Sequence, residues 1–191
     1  VLIARHREGY GDLCELITTA RLRCEKGRYR LSVQDIEALA PRCEALLIPR
    51  REDDQTMLLE QARWLQAVFG ERASIALERL LYADDTLLME RVHHVAAQLG
   101  LPIAAAGDML MHRRSRKPLQ DTLSAIRLKT PVADCGFQLA RNAEQHLRSR
   151  LRLMQLYRPA WLAHSVAIAQ RCHFSLDELR YEYPAELVPP E

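Results

Sequence analysis

Pro102-Ile103-Ala104-Ala105-Ala106-Gly107-Asp108 decides the fold. Up to Ala106 the run is apolar at every position rather than at alternate ones, which fits a strand buried on both faces. Its small side chains let a helix pack closely. Gly107-Asp108 then turns the chain and leaves a carboxylate at the strand exit. The same order recurs upstream. Ser74–Leu77 reads as a strand whose apolar Ile75-Ala76-Leu77 is followed by Glu78, and Ala45–Ile48 is another, stopped by Pro49. Val1–Ala4 reads as a first buried strand, with no initiator Met, charged leader or cleavage pattern. The chain is therefore expected to have lost its natural beginning.

Amphipathic segments separate these runs. A helix is expected near Gly11–Cys24, with Leu13, Leu16, Ile17, Ala20 and Leu22 inward and Lys26-Gly27 closing it; Gly9-Tyr10-Gly11 before it reads as a turn. Ser32-x-x-Asp35 resembles a capping box opening a short helix. From about Asp54 to Phe69, Leu58, Ala62, Leu65 and Phe69 share one face, and Gly70 ends the helix. Asp84 or Asp85 caps the next, which carries Leu87, Leu88, Val92, Val95, Ala96 and Leu99 and ends at Gly100. Strand and helix alternating in this way imply an α/β fold whose parallel sheet is covered by helices. After Asp108 the pattern becomes helical over Pro118–Leu128, Asn142–Tyr157 and Pro159–Cys172. Prolines 184, 189 and 190 then suggest a connector to another domain.

The 191 residues suffice for one domain of ordinary size, and 48% apolar with 27% charged residues is a globular composition. With 27 basic and 25 acidic residues the net charge is only +2, so the overall charge does not argue for a nucleic-acid partner. Five cysteines without C-x-x-C spacing make a zinc knuckle or disulfide framework unlikely and point to reduced thiols in the cytoplasm. No apolar run approaches a bilayer span, so no membrane partner is expected.

Ligands of parallel α/β sheets bind at the carboxyl ends of strands. Glu78 is therefore either a metal ligand or a strand-end carboxylate bonded to a helix N-terminus. Asp108 is a metal ligand, a general base or a turn-forming residue. His112 is near enough to join it or is a surface loop histidine, whereas the adjacent His93 and His94 point to different faces and read as solvated or packed. The run Arg113-Arg114-Ser115-Arg116-Lys117 is either a phosphate contact, hence a nucleic-acid-binding candidate, or a solvated loop. Arg141, Arg148, Arg150, Arg152 and Arg158 lie on or beside the later helices and read as solvated faces or docking charges. No phosphate-binding loop, dinucleotide fingerprint, nucleophile elbow or H-E-x-x-H motif occurs.

Several runs resemble one family in the expected order. They are Ala4-Arg-His-Arg-Glu-Gly-Tyr-Gly-Asp-Leu13, Ile103–Asp108, Arg114-Ser-Arg-Lys-Pro-Leu-Gln-Asp-Thr-Leu123, Pro131-Val-Ala-Asp-Cys-Gly136, Asn142-Ala-Glu-Gln-His-Leu-Arg148 and Phe174–Pro184. All are similar to the error-prone branch of the C-family bacterial DNA polymerases, in its polymerase-and-histidinol-phosphatase (PHP) domain. The resemblance implies a partial (β/α) barrel of PHP type over residues 1–112, its N-terminal part missing, and over 113–191 a helical segment with a connector towards a palm domain.

The resemblance further implies that the nucleotidyl-transfer carboxylates and their Mg belong to the palm, so that no catalytic residue lies in this chain. DNA would be met through the longer polymerase, with other polymerase domains and DNA-repair proteins as partners. Glu78 and Asp108 match metal-site positions, but the His of the family's Asp-x-His motif falls on Leu110. A structural and docking module with a decayed metal site, binding no cofactor itself, is the leading expectation. An active metal-dependent phosphoesterase, with ligands from the missing N-terminal part and Glu78, Asp108 and His112 completing the site, and an α/β scaffold unrelated to polymerases are the alternatives.

Overall fold

The computed structural model describes residues 1–40 and 42–180; the expected connector over Leu187–Pro190 and the end of the Phe174–Pro184 motif lie outside the described residues. The described residues divide into two compact units, one of Val1 with Ala45–Gln170 and one of Leu2–Glu44 with Arg171–Arg180.

The larger unit holds the parallel sheet. Strand β2 (Glu44–Leu47) pairs with β3 (Ala73–Glu78), Ala45 opposite Ala73, and β3 pairs with β4 (Ile103–Ala106), Ile75 opposite Ile103 and Glu78 opposite Ala106. Val1, just ahead of β1 (Leu2–Ile3), exchanges two hydrogen bonds with Leu46: its ammonium donates to the Leu46 carbonyl at 2.7 Å, and its own carbonyl accepts from the Leu46 amide at 2.8 Å. Strands β2, β3 and β4 are thus parallel and mostly apolar, as the sequence pattern implied, with Glu44, Ser74 and Glu78 the polar exceptions. The first segment is less buried than expected. Val1 is exposed and Leu2 and Ile3 are only half-buried.

Helices α3 (Gln55–Phe69) and α4 (Asp85–Leu99) connect these strands. Asp54 caps α3 by accepting the Met57 amide at 2.8 Å, and Leu58, Ala62, Leu65 and Phe69 are all buried, the face read from their spacing. On α4, Leu88, Val92, Val95 and Ala96 are buried but Leu87 is exposed. Gly100 ends α4 with φ +67°, a left-handed cap that costs glycine no steric strain. Helix α5 (Lys117–Leu128) matches its expected span, as does α7 (Pro159–Arg171). Ser74, fully buried in β3, shares a 2.8 Å hydrogen bond with the Nε2 of His164 on α7.

The helix expected over Asn142–Tyr157 is reduced to α6 (Arg150–Leu156). Residues 142–148 are held in an irregular path by local and long-range hydrogen bonds that compete with helix formation. The Asn142 side chain accepts the Glu144 amide at 2.9 Å and donates to the Leu80 carbonyl at 2.7 Å. The Gln145 carbonyl accepts from the Leu110 and Met111 amides at 2.9 and 3.1 Å. Met111 and His146 form an isolated parallel bridge.

In the smaller unit, α1 (Arg7–Leu22) begins earlier than expected, so Gly9-Tyr10-Gly11 is helical rather than a turn. His6 caps it, accepting the Gly9 amide at 3.3 Å, and Gly9 is buried with the Arg42 carbonyl 3.6 Å from where a Cβ would stand. Leu16 and Ala20 are buried, but Ile17 and Leu22 are exposed, and the inner face instead includes Asp12, which pairs with Arg42. Helix α2 (Val33–Leu39) opens with the expected capping box of Ser32 and Asp35. Arg23 donates twice to Asp35, at 2.5 and 2.8 Å, and together with Ser32 holds that carboxyl well below the usual range.

Glu44 is the buried ionic centre of this unit. Its side chain is 0% exposed, accepting Arg171 at 2.9 and 2.8 Å and pairing with Arg5 at 3.3 Å. The Arg5 carbonyl accepts from the His173 and Phe174 amides at 2.8 and 3.2 Å, and Phe174 stacks on Tyr10 with ring centroids 4.8 Å apart. Removing one partner of such a group strands the others in a poorly solvated place. Glu44→Ala is expected to cost about 3 kcal/mol in urea unfolding, the low end for a broken buried pair because both arginines keep roughly a third of their side chains in water. Arg171→Ala, which leaves Arg5, is expected to cost less.

Candidate functional site

The carboxyl ends of β2, β3 and β4 open on one side of the sheet, and the residues just past them form the candidate site. After β2, Arg51 donates at 2.7 Å to each of Asp84 and Asp85, and its guanidinium lies 4.5 Å from the centre of the Tyr82 ring. Arg141 also lies over that ring, at 5.3 Å. Leu81 has φ +56°, an uncommon conformation for leucine, and its amide donates to the buried Asp85 at 2.8 Å. That bond, and the one from Asn142 to the preceding carbonyl, offset the local strain.

Glu78 ends β3 and is half-buried. Burial pushes its carboxyl up, the Asp108 charge raises it further, and Arg51 partly opposes both. The two strand-end carboxylates that the sequence singled out therefore sense one another. Asp108 is exposed, has φ +38°, and accepts a 2.6 Å hydrogen bond from the amide of the buried Gln145. Aspartate tolerates this left-handed turn better than most residues.

Leu110 and His112 are both exposed, and among the described residues no group of three or more His, Cys, Asp or Glu side chains is gathered closely enough to hold a metal ion.

Residues 142–157 close over the exits. The Tyr157 hydroxyl donates to the Ala106 carbonyl at 2.5 Å and accepts from the Arg79 amide at 3.0 Å, joining the ends of β4 and β3. Burial pushes its phenol up, an effect that the Arg79 amide and Arg148 partly offset. Arg79 donates to the Leu156 carbonyl at 2.8 Å. The Arg148 side chain is 2% exposed and donates to the Arg79 carbonyl at 2.7 Å and to Glu144 at 3.3 Å.

Of the basic run, Arg114 pairs with Glu144, Lys117 pairs with Asp121 at 2.7 Å, and Arg113 and Arg116 are exposed. His93 and His94 are exposed on α4, and Arg158 approaches the His93 Nε2 at 3.1 Å. Sequence reasoning missed Arg51, Tyr82, Gln145 and Tyr157, and it read Arg148 as a helical surface charge. The available signal for Arg51 was its place two residues after Pro49, at the same end of the sheet as Glu78. Gln145 and Tyr157 carry no such mark, because only the folded path brings them back to the strands.

No family model matches the chain. Error-prone DNA polymerases match it throughout. The one from Bordetella parapertussis is 53% identical over 197 residues, covering 98% of this chain. Those from Burkholderia mallei and Vibrio vulnificus are 47% and 46% identical, each over 99% of it. The chain resembles a segment of error-prone DNA polymerase. It spans 19% of the length of the Bordetella and Burkholderia polymerases and 18% of the Vibrio one. The likeness read from Ala4–Leu13 and the later motifs thus extends over nearly the whole chain. No helix among the described residues is long and apolar enough to cross a membrane.

Glu78 has a pH signature. Its folded pKa is raised, so the folded state holds this proton more tightly than the unfolded chain does. Stability from this group is present at acid pH and is lost as pH rises from the ordinary glutamate range through the folded value. Glu78→Gln is therefore expected to raise the melting temperature at pH 7 more than at pH 4. Equal shifts at both values in thermal melts would remove this assignment.

Proposed function

We propose that this chain is a non-polymerising part of an error-prone DNA polymerase, acting as a structural and docking module of PHP type whose metal site has decayed. The longer protein would carry out DNA-directed DNA synthesis in damage-induced mutagenesis and translesion repair, in the cytoplasm, with its Mg ions held by a palm module outside this chain. Residues 1–112 would supply the barrel portion and 113–191 the helical segment leading towards that palm. DNA, other polymerase domains and DNA-repair proteins would be the partners, with Arg113 and Arg116 the cations of the basic run best placed to reach a phosphate.

One observation carries the decayed-site reading. The position that the family resemblance gives to a metal-binding histidine is Leu110, whose side chain has no lone pair, and the neighbouring Asp108 is engaged by the Gln145 amide. Among the described residues, Glu78 and Asp108 then have no third His, Cys, Asp or Glu gathered beside them. The opposing reading, an active phosphoesterase, draws on the same two carboxylates with His112 and needs further ligands from outside this chain.

The test uses the full-length polymerase that carries this segment. After dialysis against a metal-free buffer and reloading with Mn or Zn, hydrolysis of p-nitrophenyl phosphate is compared between the parent and Asp108→Ala. The expected result is no difference in hydrolysis, with DNA synthesis on a primed template retained by the variant. Stoichiometric metal together with turnover abolished by Asp108→Ala would establish the phosphoesterase instead.

A further inference from the structure

Beside the exit of β4 lies a cavity of about 330 Å³, within the size range of small-molecule sites. Its walls are mainly apolar: Met109, Leu147, Leu153, Leu162 and Val166 line it, and the small side chains of Ala105 and Ala106 leave it room. Arg148 lines the same space. We infer that this cavity binds a small amphipathic anion, a carboxylate or phosphate group on a compact apolar body, with Arg148 as its counter-charge.

The argument rests on how Arg148 is held. Its side chain is 2% exposed and lies beside the Tyr157 phenol, and its hydrogen bonds to the Arg79 carbonyl and Glu144 both use Nη2. The Nε and Nη1 donors are buried, and among the described residues neither has a hydrogen-bond acceptor. A guanidinium keeps its charge at any physiological pH, and a buried charged donor left unmade is costly. Glu144, the carboxylate that pairs with it, is shared with Arg114. Arg79, close by, spends its Nη1 on the Leu156 carbonyl and leaves its own Nε unpaired. The pocket thus joins an apolar body to a surplus of buried cationic donors, which selects an anion with an apolar portion over either a bare ion or a neutral apolar molecule. This site lies beside the strand-end carboxylates and does not depend on whether they ever held a metal.

The test is a two-dimensional amide NMR titration of the 191-residue chain with phenyl phosphate, phenylacetate and phenylacetamide. The first two separate phosphate from carboxylate recognition, and the third removes the charge at nearly constant shape. At least one anion is expected to shift the signals of Leu147, Arg148 and Val166 saturably. The neutral amide is expected to bind about tenfold more weakly, as one lost charge-assisted hydrogen bond implies. Arg148→Met is expected to abolish the preference for the anions. Val166→Trp, which narrows the cavity and leaves Arg148 in place, is expected to weaken all three ligands, and it decides the matter should Arg148→Met not fold. Equal binding of anion and amide, shifts that map elsewhere, or no saturable shift at millimolar ligand would each overturn the inference.

Discussion

The Tyr157 hydroxyl fastens the exits of two neighbouring parallel strands. By donating to the Ala106 carbonyl and accepting from the Arg79 amide, it satisfies groups that the sheet leaves over where β4 and β3 end. Asn142 does the same for the Leu80 carbonyl, and Arg148 for that of Arg79. Each of these side chains comes from the stretch that returns over the sheet after α5. Closure of the exits therefore fixes the path of residues 142–157, and that path in turn fixes where Gln145 meets Asp108 and where Arg148 meets the cavity.

This dependence explains what the sequence disclosed and what it withheld. The strands after Pro49 and before Asp108, helices α3, α4, α5 and α7, and the Ser32–Asp35 capping box were all legible, because local periodicity and capping chemistry determine them. Gly9 and Gly11 misled, since two glycines near a helix start read as a turn; the His6 cap and close packing at Arg42 overrode their weak helix propensity. Asn142–Tyr157 misled for the opposite reason. Its composition suits a helix, but Asn142 and Gln145 spend their polar groups on Leu80, Leu110 and Met111, which are distant in sequence. Glu78 and Asp108 were singled out because strand ends are recognisable, and the place of Arg51 just after Pro49 was a signal of the same kind; Gln145 and Tyr157 carried none, because their roles exist only through those long-range bonds.

Ionic pairing at the exits is largely internal. Arg51 is divided between Asp84 and Asp85, Arg114 and Arg148 share Glu144, and Lys117 is held by Asp121. Such arrangements fix geometry more than they add stability, since desolvation offsets much of the attraction. They suit a module whose task is to hold a shape beside a polymerase, the role proposed for this segment of a protein similar to error-prone DNA polymerases.

Amide hydrogen exchange at the strand exits tests the central claim, that residues 142–157 seal the carboxyl end of the sheet. The account predicts that the amides of Arg79, Leu110, Met111 and Leu147 exchange as slowly as those within β3 and β4. Exchange at those four positions as fast as in exposed loops, with the strands still protected, would contradict it.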